Sequence, residues 1–148
     1  LVAAGSDVVA LDCTMRKRGD GRSINEFLAE IREKYPDIIL MADISTYEEG
    51  INAWKCGVDI LGTTMSGYTS CSPRLDGPDY ELMRRLSQDA DIRKAGIPVI
   101  GEGRIHDPAQ AVEALRTGVW AIVVGGAITR PLEIARRFMD AIDAAPPV

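Results

Sequence analysis

The chain has 148 residues, 46% of them hydrophobic and 26% charged, a composition suited to one globular domain with a substantial core and unlike that of a disordered chain. Its 22 acidic residues outnumber 17 basic ones for a net charge of −5, which argues against a general nucleic-acid surface, and its apolar runs fall far short of a membrane span. Cys13, Cys56 and Cys71 show no C-x-x-C spacing and His106 is the single histidine, which argues against a disulfide framework, a structural zinc site or a Ser-His-Asp triad. With no basic-then-apolar leader at the start, a cytoplasmic location is expected, with no nucleic-acid or membrane partner.

Leu1-Val2-Ala3-Ala4-Gly5 reads as the end of a helix, since helix C-termini favour such a glycine. Val8-Val9-Ala10-Leu11 is a short apolar run ending in Asp12, the pattern of a parallel strand buried on both faces. Arg16 to Arg22 is a basic loop, expected to be solvated. Ser23 and Glu26 form a capping-box signature, and Ile24, Phe27, Leu28 and Ile31 follow at helical spacing up to Tyr35-Pro36.

Ile38 to Ala42 predicts the next strand, ending in Asp43, and Thr46 with Glu49 gives a second capping box for a helix that stops at Gly57. Ile60 to Thr64 predicts a third strand, followed by a polar loop and a helix carrying Leu82, Met83 and Leu86. Ile97-Pro98-Val99-Ile100 is the fourth, running into Gly101-Glu102-Gly103-Arg104. Asp107 caps the helix that follows, with Pro108 in its first turn and Ala111, Val112 and Leu115 on its apolar side. Trp120 to Val124 is the fifth strand, leading into Gly125-Gly126-Ala127. Thr129 is expected to cap a last helix with Leu132, Ala135, Met139 and Ile142 on one face, and residues 144–148 to form a frayed tail.

Strand and helix alternate through about five units, as parallel α/β architectures require. A closed (β/α)8 TIM barrel has eight such units and about 250 residues, so the expectation is a barrel whose amino-terminal strands lie outside this sequence, all 148 residues belonging to the carboxyl-terminal portion of one domain. A complete flavodoxin-like sheet of five strands is the rival. Incomplete closure would leave strand edges exposed and favour association, including a homo-oligomer.

In both folds the chemistry collects at the carboxyl ends of the strands. Those ends are Asp12, Asp43, Thr63 and Thr64, Glu102 and Arg104, then Gly125 and Gly126. A carboxylate between two glycines, as at Glu102, makes a poor structural element and suits a reacting acid or base beside a backbone that a ligand approaches closely. Asp43 is read as a turn cap, Thr63 as an ordinary strand residue, and His106 as part of the turn before its helix. Gly103, Arg104, Gly125, Gly126 and Arg130 fit a phosphate held by backbone N–H groups and guanidinium hydrogen bonds at the last two strand ends. Neither G-x-x-x-x-G-K-[ST] nor G-x-G-x-x-G occurs, so no nucleotide-binding motif competes.

Ala10-Leu11-Asp12 with Thr14, Gly62-Thr63-Thr64-Met65-Ser66-Gly67-Tyr68-Thr69, Gly101 to Arg104 and Gly125 to Arg130 fall in the order that resembles the N-acetylmannosamine-6-phosphate 2-epimerase family. The resemblance spans nearly the whole chain, as strands four to eight of that barrel. It implies an epimerase that interconverts N-acetylmannosamine 6-phosphate and N-acetylglucosamine 6-phosphate without metal or redox cofactor, in sialic acid catabolism. It further implies Glu102 as a proton-transfer residue, Asp12 as its assistant, and Gly103, Arg104, Gly125, Gly126 and Arg130, with Thr64, around a phosphorylated amino sugar. The family's catalytic Lys has no counterpart here, because its strand would precede Leu1, and this chain alone could therefore be inactive. Another phosphate-binding barrel lyase or synthase, or a non-catalytic phosphate-binding fragment, are the alternatives.

Overall fold

A computed structural model describes residues 1–146. After a short 3-10 turn at Val2–Ala4, strands β1 (Val8–Asp12), β2 (Ile39–Asp43), β3 (Ile60–Gly62), β4 (Val99–Glu102) and β5 (Ala121–Val123) form one sheet. Between and after them come helices α1 (Ile24–Lys34), α2 (Tyr47–Lys55), α3 (Tyr80–Gln88), α4 (Ala90–Ala95), α5 (Pro108–Arg116), α6 (Gly126–Thr129) and α7 (Pro131–Asp143). All neighbouring strands pair in parallel and in sequential order, β1-β2-β3-β4-β5. That order lacks the reversal a flavodoxin-like sheet needs, so the five-stranded rival is excluded.

Helices α1, α2 and α5 begin where the sequence signals them. Ser23 and Glu26 form a reciprocal capping box at α1, and Thr46 and Glu49 form another at α2. Asp79, Asp89 and Asp107 each accept from a backbone N–H in the first turn of α3, α4 and α5. One side of the sheet packs against these helices: Leu40, Ala42, Leu61 and Val99 meet Leu28, Ala53, Met83, Leu86 and Ile92 in a single core. Because strand side chains alternate, Val8, Ala10 and Asp12 in β1, Ile39, Met41 and Asp43 in β2, and Ile100 and Glu102 in β4 occupy the other face. Val8 and Ile39 are register partners on that face, and both are exposed.

Several details differ from the sequence reading. β3 ends at Gly62 rather than Thr64, and α4 and α6 are helices that were not anticipated. Thr129 does not cap α7. Its hydroxyl donates to the O of Gly125, the residue that caps α6, and Arg130 occupies the α7 cap position with no side-chain capping bond. On α5 the fully buried residue is Ala114, while Val112 and Leu115 are about half exposed. The apolar residues Leu132, Ala135, Met139 and Ile142 of α7 are all exposed. Spacing places apolar residues on one face of a helix, but burial depends on what packs against that face. Of the anticipated tail, Pro147 and Val148 lie outside the described residues.

Candidate active site

Three carboxylates stand on the open face of the sheet at the carboxyl ends of β1, β2 and β4. Asp12 and Asp43 are register partners, and Cys13 N–H donates to Asp43 O just beyond them. Asp43 is not a turn cap. Its Oδ1 accepts a 2.7 Å hydrogen bond from Thr64 Oγ1, which also lies 3.0 Å from Glu102 Oε2. A threonine hydroxyl has one proton to give and lone pairs to receive. Both contacts are satisfied together when one carboxyl carries a proton and donates it to Thr64 while Thr64 donates to the other. Gly62 makes room for this junction, since a Cβ there would lie 3.3 Å from Thr64 Oγ1 and 3.4 Å from Asp43 Oδ1.

Burial disfavours the charged form of both carboxyls that meet at Thr64. Burial pushes the Glu102 carboxyl above the usual carboxylate range, opposed by the Thr64 hydrogen bond and reinforced by the charge of Asp43. Burial likewise raises Asp43, opposed by Thr64 and reinforced by the charge of Asp12. Asp12 behaves in the opposite way. Burial would raise it, but bonds from the Thr14 hydroxyl and amide and from Arg16 together outweigh that and hold it low. The basic loop is engaged rather than simply solvated: Arg18 donates to Asp12 O and stacks on Phe27, and Arg22 pairs with Asp20 and Glu30. Cys13 is fully buried, and burial together with Asp43 and Asp12 pushes its thiol up to about 12, which leaves it inert as a nucleophile.

Glu102 borders a cavity of about 330 Å³ whose wall also includes Thr64, Arg104, His106, Gly125 and Arg130. Gly103 and Gly126 lie on the same wall, so seven of the eight anticipated site residues meet there. Asp12 does not. It lines a separate recess formed by its own loop with Thr14, Arg16, Lys17, Arg18 and Gly19. Arg104 has a positive φ of 55°, rare outside glycine, and follows Gly103 at φ 109°. Its Nε donates to Gly77 O and its Nη1 to Ser66 O, its guanidinium lies over the Tyr68 ring, and Nη2 is buried without a partner among the described residues. Arg130 is exposed and pairs with Glu133 at 2.8 Å. His106 N–H donates to Gln110 Oε1, the turn role expected of it, while its ring lies 3.2 Å from Arg137 Nη1.

Two further groups hold the strand-end loops together. Glu49 is buried, and its Oε2 accepts from Ser45 N, Ser45 Oγ and Thr46 N while its Oε1 accepts from Met15 N. The capping residue of α2 thereby ties the loop after β1 to the loop after β2. Thr69 Oγ1 donates to Ser45 Oγ at 2.9 Å, which fastens the loop after β3 to that of β2, and Ser72 Oγ accepts from Gly67 N within the loop after β3. The capping box announced only the first of Glu49's roles.

The chain matches the profile of the NanE family, described as "Putative N-acetylmannosamine-6-phosphate epimerase", over residues 1–144. The chain belongs to this family. A protein from Caldanaerobacter subterraneus subsp. tengcongensis named "Putative N-acetylmannosamine-6-phosphate 2-epimerase" is 55% identical over 142 residues, covering 96% of this chain and 58% of that relative. A protein of the same name from Cutibacterium acnes is 46% identical over 140 residues, covering 95% of this chain and 59% of that relative. The solved structure of the N-acetylmannosamine-6-phosphate 2-epimerase from Clostridium perfringens superposes with a TM-score of 0.80 at 44% identity, covering 93% of this chain and 57% of that one. The chain thus spans less than two thirds of the length of these relatives. Among the described residues, no helix is long and apolar enough to cross a membrane.

Proposed function

We propose that this chain carries the glutamate half of a cofactor-independent epimerase that interconverts N-acetylmannosamine 6-phosphate and N-acetylglucosamine 6-phosphate in sialic acid catabolism, in the cytoplasm. The observation that carries the reading is the Asp43–Thr64–Glu102 junction opening onto a glycine-lined cavity. Family membership supplies the substrate class. Inverting carbon 2 of an acylamino sugar in its open aldehyde form means removing a proton next to a carbonyl and returning one to the opposite face. A carboxyl group raised by burial suits one side of that exchange.

In this reading Glu102 moves the proton, and Thr64 and Asp43 set its protonation. Asp12 assists from the neighbouring strand through its charge on Asp43. The backbone at Gly103, Gly125 and Gly126, with Arg104 and Arg130, holds the phosphate, whose binding energy positions the reacting carbon. The sheet is an arc of a (β/α)8 barrel. Sequential parallel order, apolar side chains on the face away from the helices, and the longer relatives support this. The second acid/base group, a lysine, then comes from a strand outside these 148 residues, and the chain acts only when the barrel is complete.

Titrating the 15N-labelled chain with N-acetylmannosamine 6-phosphate tests the site. The amide signals of Gly103, Gly125 and Gly126 move first and saturate. A folded chain whose signals stay in place excludes the phosphate assignment.

A further inference from the structure

The β3·β4 ladder ends one step before Glu102. Leu61 pairs with Val99 and Gly62 with Ile100, and Thr63 N–H donates to Ile100 O at 3.1 Å. In a regular parallel ladder, the next bond would run from Glu102 N–H to Thr63 O. That bond is not made, because the chain turns at Thr63, whose carbonyl accepts from Ser66 N–H at 3.1 Å instead. The Glu102 peptide would then face β3 with neither its donor nor its acceptor paired to backbone, an expensive state for a half-buried strand end.

The Thr63 side chain fills that gap. Its Oγ1 accepts from Glu102 N at 3.0 Å and donates to Glu102 O at 2.8 Å, and Thr63 is fully buried. The hydroxyl thus grips both polar groups of the residue whose side chain enters the cavity. Thr64, next in sequence, contacts the Glu102 carboxyl itself. The two adjacent threonines divide the work between the backbone and the carboxyl of one residue. A valine at 63 would fill the same space and supply neither bond.

We infer that Thr63 is a positioning residue for Glu102, fixing its peptide so that the carboxyl stays against Thr64 and in the cavity. This rests on the reading of Glu102 as the proton-transfer group, and it assigns a function to a residue outside the cavity wall. The raised Glu102 carboxyl is consistent with it, because burial is the main cause of that rise and a released side chain would become more exposed.

Amide hydrogen exchange and carbon-13 carboxyl titration of the 148-residue chain test the inference in wild type, Thr63→Val and Thr63→Ser, with the Glu102 carboxyl signal assigned through Glu102→Gln. In wild type the Glu102 amide is protected although no backbone group accepts from it. In Thr63→Val its exchange accelerates by at least about tenfold, the scale of one net hydrogen bond, and the carboxyl midpoint falls toward the ordinary range. Thr63→Ser restores both. A Thr63→Val chain with wild-type exchange and midpoint overturns the inference. Should that variant not fold, an unprotected Glu102 amide in wild type, exchanging as fast as that of exposed Gly19, overturns it as well. Failure of the functional reading has a different signature: the wild-type Glu102 carboxyl ignores added N-acetylmannosamine 6-phosphate while the Thr63 effects persist.

Discussion

Thr64 Oγ1 lies 3.0 Å from Glu102 Oε2 and is committed at the same time to a second carboxylate, Asp43. One hydroxyl proton cannot serve two ionised acceptors, so the arrangement favours a pair that holds one proton between them. Such a pair titrates as a unit. Thr64→Val removes the bridge and leaves burial unopposed at both carboxyls. Both midpoints then rise further, which carbon-13 titration of the chain measures directly, and a fall of either would show that the hydroxyl does not stabilise the charged forms.

The pH dependence of stability follows from the direction of each shift. Asp43 and Glu102 are raised in the folded state, so their contribution is fully present below the ordinary carboxylate range and is lost as pH rises through their higher folded values. Asp43→Asn and Glu102→Gln are therefore expected to stabilise the chain at pH 7 relative to their effect at pH 3. Asp12 is lowered, so its contribution is present above the ordinary value and lost as pH falls through the folded one. Asp12→Asn destabilises at pH 7, and the difference from wild type shrinks in acid. Urea midpoints across this range check both signs.

Glu49 is the buried group on which most loop geometry depends. Glu49→Ala leaves three backbone N–H groups and one hydroxyl without their acceptor, and is expected to cost about 3 kcal/mol. Because the Met15 contact belongs to a different loop, the mutation also frees the segment carrying Thr14 and Met15. Denaturant unfolding measures the energy, and amide exchange at Met15 shows the loop release.

Much of this site was legible in the residues. Capping boxes at Ser23/Glu26 and Thr46/Glu49 place the helices, and the strand ends at Asp12, Asp43 and Glu102 are where apolar runs stop at a charge. Seven anticipated residues line one cavity because parallel strands bring their carboxyl ends together. The role of Asp43 was not legible, because an aspartate after a strand looks the same whether it caps a turn or receives a hydroxyl from another strand. Helix α4 was missed because six residues are too few for periodicity to show, although Asp89 and Gly96 mark its ends. The face of α7 was identified, but no spacing rule states whether anything covers it.

Gly67 allows Arg104 to cross the loop after β3. A Cβ there would lie 1.8 Å from Arg104 Nη1, and φ is +83°. Gly5 has nearly the same φ, +81°, with open space around it. Gly5→Ala is therefore expected to cost only the backbone strain, about 1–2 kcal/mol, and Gly67→Ala to cost more because Arg104 must leave Ser66 O and Gly77 O. Equal losses on thermal unfolding would show that the Arg104 strap contributes little.

The central claim is that Glu102 transfers the proton at carbon 2. Its most direct test joins these 148 residues to the segment of the Caldanaerobacter relative that they do not cover. Solvent deuterium incorporation into N-acetylmannosamine 6-phosphate is then followed with and without Glu102→Gln. The account predicts deuterium at carbon 2 of both epimers, slowed by about two to four orders of magnitude in Glu102→Gln, the usual range for a general acid–base group. Undiminished incorporation by Glu102→Gln would contradict it.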